Sequence, residues 1–403
     1  MFDSMGSILE ALSPEQQIAC STQNNILLTA CPGSGKTRTL THRLAYQVLR
    51  DPASKKIKIA ITYTNRAAEE ITNRLEGMNI DQSSIWAGTI HQFCMHFIIR
   101  PYAMYSKRLC KGYRIIDDYS KKAYGREIAE RLGMHLNYYD DPFQYENVRT
   151  EYKRVLKEKK EIDFDAILLI SEELLASCAF IGSNIASVIS SILVDEFQDT
   201  NELQYSILST IYKANKSIIL MFVGDVNQAI YSSLGGVAKG KKELETLYEI
   251  NFDSLSLKGC YRSTQRLVDL YSRFEISKTD AHSVAKYKDE HGEIHFFDSV
   301  YYTDLASKIA ELIKKELRKG TKAEEICVIA PQWFMLFDLS GKLRLLLPDI
   351  SFDAPDISPI KYNPMNPLFL IATLSVLSPF PGCDAAGCHA FLADSWNKAF
   401  SSD

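Results

Sequence analysis

Eight residues constrain this chain more than any others. Ala30 to Thr37, ACPGSGKT, lies between an apolar run, Ile26 to Ala30, and a segment in which Leu40, Leu44 and Val48 recur every four residues. The short apolar run reads as a buried strand and the four-residue spacing as a helix, so the glycines fall at a strand-to-helix turn. Gly33 and Gly35, flanking Ser34, let the backbone bend its N–H groups inward, and the following helix points its positive end at the same place. Such a turn holds phosphate. Lys36 adds a cation for the β- and γ-phosphates of a nucleotide, and Thr37 adds a hydroxyl ligand for Mg²⁺. The loop departs from the usual pattern only in having Ala30 in place of the first glycine.

The strand-then-helix pattern recurs at Ile57 to Tyr63, followed by NRAAEEITNRLEG, and strands return at Ile192 to Val194 and Ile218 to Val223. Strands alternating with helices imply a parallel sheet covered on both faces, an α/β fold. In SILVDEFQDT an apolar strand ends in Asp195 and Glu196, at the edge where a parallel sheet binds ligands. Asp195 is expected to hold Mg²⁺ through its water shell, and Glu196 to orient or deprotonate an attacking water. A second strand, IILMFVGD, also ends in polar residues, Asp225 and Gln228. From about Pro101 to Ile181 the strand signal gives way to Tyr- and charge-rich segments with helical spacing, which reads as a helical insertion. After about Ser272 a further α/β pattern begins: a strand in EIHFFDSV, a helix through LASKIAELIKKELRKG and a strand in EEICVIAP.

Other classes are argued against by composition. No apolar stretch reaches the roughly 18 residues a spanning helix needs; Leu368 to Leu377 comes nearest and is interrupted by Thr373 and Ser375, so no membrane is expected. The N-terminal residues are acidic where a secretory signal would be basic, so a cytoplasmic location is expected. Nine cysteines, an odd number scattered through apparent strands and helices, suit a reducing compartment. Cys383, Cys388 and His389 would offer three metal ligands but lack a second knuckle at zinc spacing. A net charge of −4 argues against a chain-wide basic surface without excluding nucleic acid; local basic clusters remain, such as Lys153 to Lys160, each of which taken alone reads as a solvated face.

Several ordered segments between residues 12 and 263 resemble the superfamily 1 helicases of the UvrD, Rep and PcrA type. LSPEQQ resembles the adenine-recognising glutamine motif, with Gln16 in the key place; Arg38 follows the phosphate loop where the family helps bind nucleotide. TYTNRAAEEI resembles TFTNKAA, and GTIHQF resembles GTFHS. DEFQDT, GDVNQAIY and CYRS follow in the family's order. The resemblance implies a RecA-like P-loop NTPase motor domain (residues 1–100 and 182–272), a helical insertion (101–181) and a partial second RecA-like domain (273–403). It implies ATP and Mg²⁺ as cofactors, Gln228 sensing the γ-phosphate, Tyr261 stacking on adenine and Arg262 as an arginine finger. Tyr63, Thr64, Asn65, Thr89 and His91 would line a single-strand path.

The implied activity is ATP-dependent translocation or unwinding, 3′-to-5′, on single-stranded DNA or single-strand/duplex junctions. Two departures stand beside it. Ser233 and Leu234 occupy the places of a DNA-stacking aromatic and an arginine, and no counterpart of the family's late motifs follows Ser272, so the second motor domain reads as incomplete, as in a truncated chain or a reduced form with a partner. The branch of compact helicases that accompany an ATPase-nuclease in Gabija-like antiviral systems is compatible with this. The alternative reading is therefore an ATP- and DNA-binding regulatory subunit of a nuclease-containing defence complex without independent unwinding.

Overall fold

A computed structural model describes residues 5–137, 140–230 and 236–354. Ser233 and Leu234, the stretch Leu368 to Leu377, and Cys383, Cys388 and His389 lie outside the described residues. The chain divides into two units, Met1–Glu293 and Ile294–Asp403.

The first unit is built on six parallel strands: β1 (Ile26–Ala30), β2 (Ile57–Thr62), β3 (Ile85–Thr89), β6 (Ile189–Val194), β7 (Ile219–Gly224) and β8 (Asp253–Leu257), in the order β3-β2-β6-β7-β1-β8. Two short parallel pairs complete the strands among the described residues: β4 (Arg114–Ile115) with β5 (Glu161–Ile162), and β9 (Gly259–Cys260) with β10 (His282–Ser283). Period-two alternation separates the sheet's two faces. Leu27, Ile59, Ile61, Ile192, Val194, Leu220 and Phe222 enter one apolar core, while Ile26, Leu28, Ala60, Leu193, Met221 and Val223 enter the other. Each face is covered, so the strands read as near-continuous apolar runs, and the sheet is a doubly covered parallel α/β sheet, as expected. β8, DSLSL, is an edge strand with an alternating polar pattern, and neither it nor β3 (IWAGT) stands out as an apolar run in the sequence.

Because every strand pairs parallel, all six carboxyl ends share one edge, where ligands of such sheets bind. The phosphate loop leaves β1 at that edge and enters the helix Lys36–Arg50, Asp195 and Glu196 follow β6, and Asp225 follows β7. The residues between 100 and 189 are mainly helical, with helices Asp118–Arg131, Glu146–Lys159, Phe164–Ser177 and Ala179–Val188. The first two pack around Ile116, Ile128, Val148, Tyr152 and Leu156, a core of their own. Within the basic run here, Arg154 is spent on Glu151 and Glu158, and Lys159 lies over the ring of Tyr124.

In the second unit the expected helix is present as Leu305–Arg318, packed on Trp333–Leu346 through Ala306, Ala310, Leu339 and Leu343. The two strands expected there are not formed among the described residues. EIHFFDSV is without regular structure, and EEICVIAP begins in the 3₁₀ turn Ala323–Glu325 and continues irregularly. Alternation gives a segment two faces, but a strand also needs a ladder partner, and neither segment has one among the described residues; Phe296 and Ile329 are almost fully exposed.

Candidate functional site

The loop after β1 is held from three sides. Gly33 and Gly35 sit at φ +75 and +84, a region L side chains rarely adopt. A Cβ on Gly33 would meet Arg262 Cβ at 2.7 Å and Cys260 Sγ at 3.0 Å, so the strand end carrying Cys260, Tyr261 and Arg262 closes directly on the loop. The N–H of Tyr261 donates to the carbonyl of Gly33 at 2.9 Å. Ser34 is buried and donates to the Cys31 carbonyl at 2.7 Å, while Gln16, also buried, donates through Nε2 to the Ser34 carbonyl at 2.9 Å. Gln16 is fixed in turn by a reciprocal capping pair with Ser13. Burial pushes the Cys31 thiol up to about 12, so it stays protonated beside the loop.

Lys36, Glu196, Gln198, Asp225 and Gln228 form a closed ring. Lys36 Nζ donates to Glu196 Oε2 at 3.1 Å and to Gln228 Oε1 at 3.5 Å. Gln198 Nε2 donates to the same Glu196 oxygen at 2.8 Å, and Gln198 Oε1 accepts the N–H of Asp225 at 3.0 Å. Gln228 Nε2 closes the ring on Asp225 Oδ2 at 2.8 Å. Glu196 is a non-glycine residue at φ +51, a conformation that persists only where its surroundings hold it. Gln198 is not among the residues expected at the site; its place inside DEFQDT is the signal that points to it.

Asp195 is buried, and loss of solvent pushes its carboxyl up to about 7, with neighbouring Glu196 adding to the rise and Lys36 opposing it. Burial likewise raises Asp225, opposed by the Asn227 N–H and by Gln228. A buried carboxylate lacking full compensation fits a site that takes a cation. The donor set, the Asp195 carboxylate with the Thr37 hydroxyl, suits Mg²⁺, which keeps most of its waters and takes few protein oxygens. Among the described residues no group of three or more His, Cys, Asp or Glu is placed to hold a metal on its own. Tyr261 and Arg262 are exposed next to the loop, and Arg38 reaches the Ala11 carbonyl at 2.8 Å.

A groove of about 760 Å³ runs beside this centre, lined by Tyr63, Thr64, Asn65, Thr89 and His91, all five residues of the expected single-strand path. Two of them also build local structure. Thr64 caps the helix Asn65–Gly77 by accepting from Ala67 N–H, and Thr89 exchanges capping bonds with Gln92. Residues the sequence did not single out complete the wall: Trp86, His96, Arg100 and Phe164. Phe164, from the helical segment, meets the His91 ring edge-on at 5.8 Å. Burial lowers the His91 pKa, which keeps its imidazole neutral near pH 7. A second pocket, of about 340 Å³, shares Tyr63, Thr89 and His91 with the groove and reaches Asp195, Glu196 and Asp199.

Among proteins of known name, the PcrA ATP-dependent DNA helicase of Staphylococcus aureus is 26% identical over 359 residues, covering 81% of this chain and 48% of the relative. The Leuconostoc citreum PcrA is 28% identical over 279 residues, 62% of this chain and 37% of the relative. Residues 15–234, more than half of the chain, match the family of the AAA domain. The chain belongs to this family, as a superfamily 1 helicase homologue. It spans about half the length of the curated relatives it matches. A Pif1 helicase structure from Candida albicans aligns at a TM-score of 0.34 with 13% identity, over 64% of this chain and 43% of that one, too loose a likeness to argue from. Among the described residues no helix is long and apolar enough to cross a membrane.

Proposed function

We propose that this chain is the ATP-hydrolysing motor part of a DNA helicase that moves 3′-to-5′ along single-stranded DNA. The observation that carries the reading is contiguity. One groove gathers all five candidate strand contacts, and three of them, Tyr63, Thr89 and His91, also line the pocket that ends on Asp195 and Glu196. The groove and the carboxylate pocket share walls, a short route from an occupied track to Asp195 and Glu196. The polarity follows the family resemblance, and DNA as substrate follows the names of the PcrA relatives.

In this reading Gln16, Gly33, Ser34, Gly35, Arg38 and Tyr261 seat the nucleotide, with Tyr261 stacking on adenine. Lys36 exchanges Glu196 for the β- and γ-phosphates, an ammonium moving from one anion to another. Glu196, freed of Lys36, orients the attacking water. Gln228 follows the γ-phosphate, and Arg262, exposed at the loop, stabilises charge on the transferring group. Thr37 and Asp195 would hold Mg²⁺, which would supply charge neutralisation. In the groove, aromatic side chains stack on bases without regard to sequence, and the N-terminus of the helix Asn65–Gly77 favours a backbone phosphate. Residues 1–100 and 182–272 serve as the first motor domain, 101–181 as its insertion and 273–403 as part of a second.

The test is steady-state ATP hydrolysis with Mg²⁺, with and without single-stranded DNA, beside Lys36→Ala. The expected result is DNA-stimulated turnover that Lys36→Ala abolishes while keeping the wild-type melting temperature. Turnover indifferent to Lys36→Ala, or its absence with and without DNA, refutes the reading.

A further inference from the structure

Glu196 Oε2 accepts two hydrogen bonds, one from Lys36 and one from Gln198. A nucleotide competes for the first, because Lys36 is the cation at the phosphate loop. It leaves the second untouched. Gln198 is 2% exposed, and both ends of its amide are committed: Nε2 to Glu196 at 2.8 Å, Oε1 to the Asp225 N–H at 3.0 Å. Its orientation is unambiguous, since an N–H can only donate and an ionised carboxylate can only accept. β7 is shaped to receive it. A Cβ on Gly224 would lie 2.2 Å from Gln198 Oε1 and 2.7 Å from Phe197 Cδ1, so the amide occupies the space that a side chain at 224 would fill.

We infer that Gln198 is a positioning residue for Glu196. It holds that carboxylate in its left-handed backbone setting once Lys36 has turned to the nucleotide. It also ties Glu196 to the strand end that carries Asp225 and, through it, Gln228. The side chain touches no phosphate and acts only through Glu196. The inference rests on the ATPase reading above.

The experiment measures kcat and KM for ATP, with Mg²⁺ and single-stranded DNA, in Gln198→Met and Gln198→Glu, each alone and combined with Glu196→Gln; single-turnover rates serve the slow backgrounds. Gln198→Met keeps the length and loses both bonds, and its kcat is expected to fall about 10- to 100-fold, the effect of one charge-assisted hydrogen bond on a barrier. KM is expected to stay within about threefold, because ground-state nucleotide contacts are intact. In the Glu196→Gln background the further loss is expected to be under about twofold, since a residue acting through Glu196 has nothing left to position. A wild-type kcat in folded Gln198→Met, a rise confined to KM, or losses that multiply with Glu196→Gln each overturn the inference. If Gln198→Met melts early, Gln198→Glu decides: it retains an acceptor for Asp225 and repels Glu196, and a wild-type kcat in it overturns the role. Loss of fold in both variants assigns Gln198 to structure alone. A wild-type chain without hydrolysis fails the proposed function itself, whereas a hydrolysing wild type with an active Gln198→Met fails only the positioning role.

Discussion

A single methyl group at the end of β7 is expected to cost both stability and turnover. Gly224→Ala would place its Cβ 2.2 Å from Gln198 Oε1, 2.7 Å from Phe197 Cδ1 and 3.0 Å from Phe197 Cε1. The Phe197 ring is buried and meets Phe222 edge-on at 6.4 Å, so the terminal amide of Gln198 is the part that yields. Its movement breaks the bond to Asp225 N–H and the bond to Glu196. Overpacking of this size costs about 1–3 kcal/mol, and the charge-assisted bond to Glu196 alone is of the same order, roughly 1.5–3 kcal/mol. Urea unfolding read by linear extrapolation is expected to show this loss with an unchanged slope, leaving a folded protein. ATP turnover is expected to fall at least about tenfold, since the displaced amide no longer fixes Glu196. A variant with wild-type stability and turnover would refute both the packing argument and the contact geometry behind it.

Arg262→Ala is expected to lower kcat by about a hundredfold or more while ATP affinity changes little, checked by comparing turnover with equilibrium binding. Tyr63→Ala is expected to weaken single-stranded DNA binding by about 1–3 kcal/mol, uniformly across base composition, in fluorescence anisotropy titrations. Lys58 lies in β2 almost without exposure, its ammonium bonded only weakly to the Lys56 carbonyl at 3.5 Å, and burial lowers its pKa. A lysine whose folded pKa is depressed costs stability while charged, a cost that fades as pH rises through the folded value toward the unfolded one. Lys58→Met is therefore expected to raise the melting temperature by a few degrees at pH 7 and by less near pH 10.

The chemistry of the first unit was legible because each of its parts is local in sequence. A glycine turn must sit between β1 and its helix, and carboxylates must follow a strand end, so ACPGSGKT and VDEFQDT announce themselves. What joins them was not legible. Lys36 and Glu196 are far apart in the chain, and nothing at either position states that one neutralises the other across the sheet edge. Thr64 and Thr89 carried an expectation of strand contact, and their helix-capping bonds belong equally to short-range rules that the motif reading passed over. β3 was passed over because Gly88 and Thr89 cut the apolar run short, although Gly88 is where the Trp86 ring packs at under 3 Å from a would-be Cβ. In the second unit EIHFFDSV and EEICVIAP offered the composition of strands without the partner that makes one.

The wall shared by the groove and the carboxylate pocket has a consequence that holds for equilibrium binding whatever the stepping mechanism. Tyr63, Thr89 and His91 line both cavities, so under the proposed function they lie against strand and nucleotide site alike. Any factor by which a bound strand tightens the hold on nucleotide must be returned, unchanged, as the factor by which nucleotide tightens the hold on the strand. The coupling between strand and nucleotide is then one quantity measured from two sides, so a substitution in this wall that removes it in one titration must remove it equally in the other.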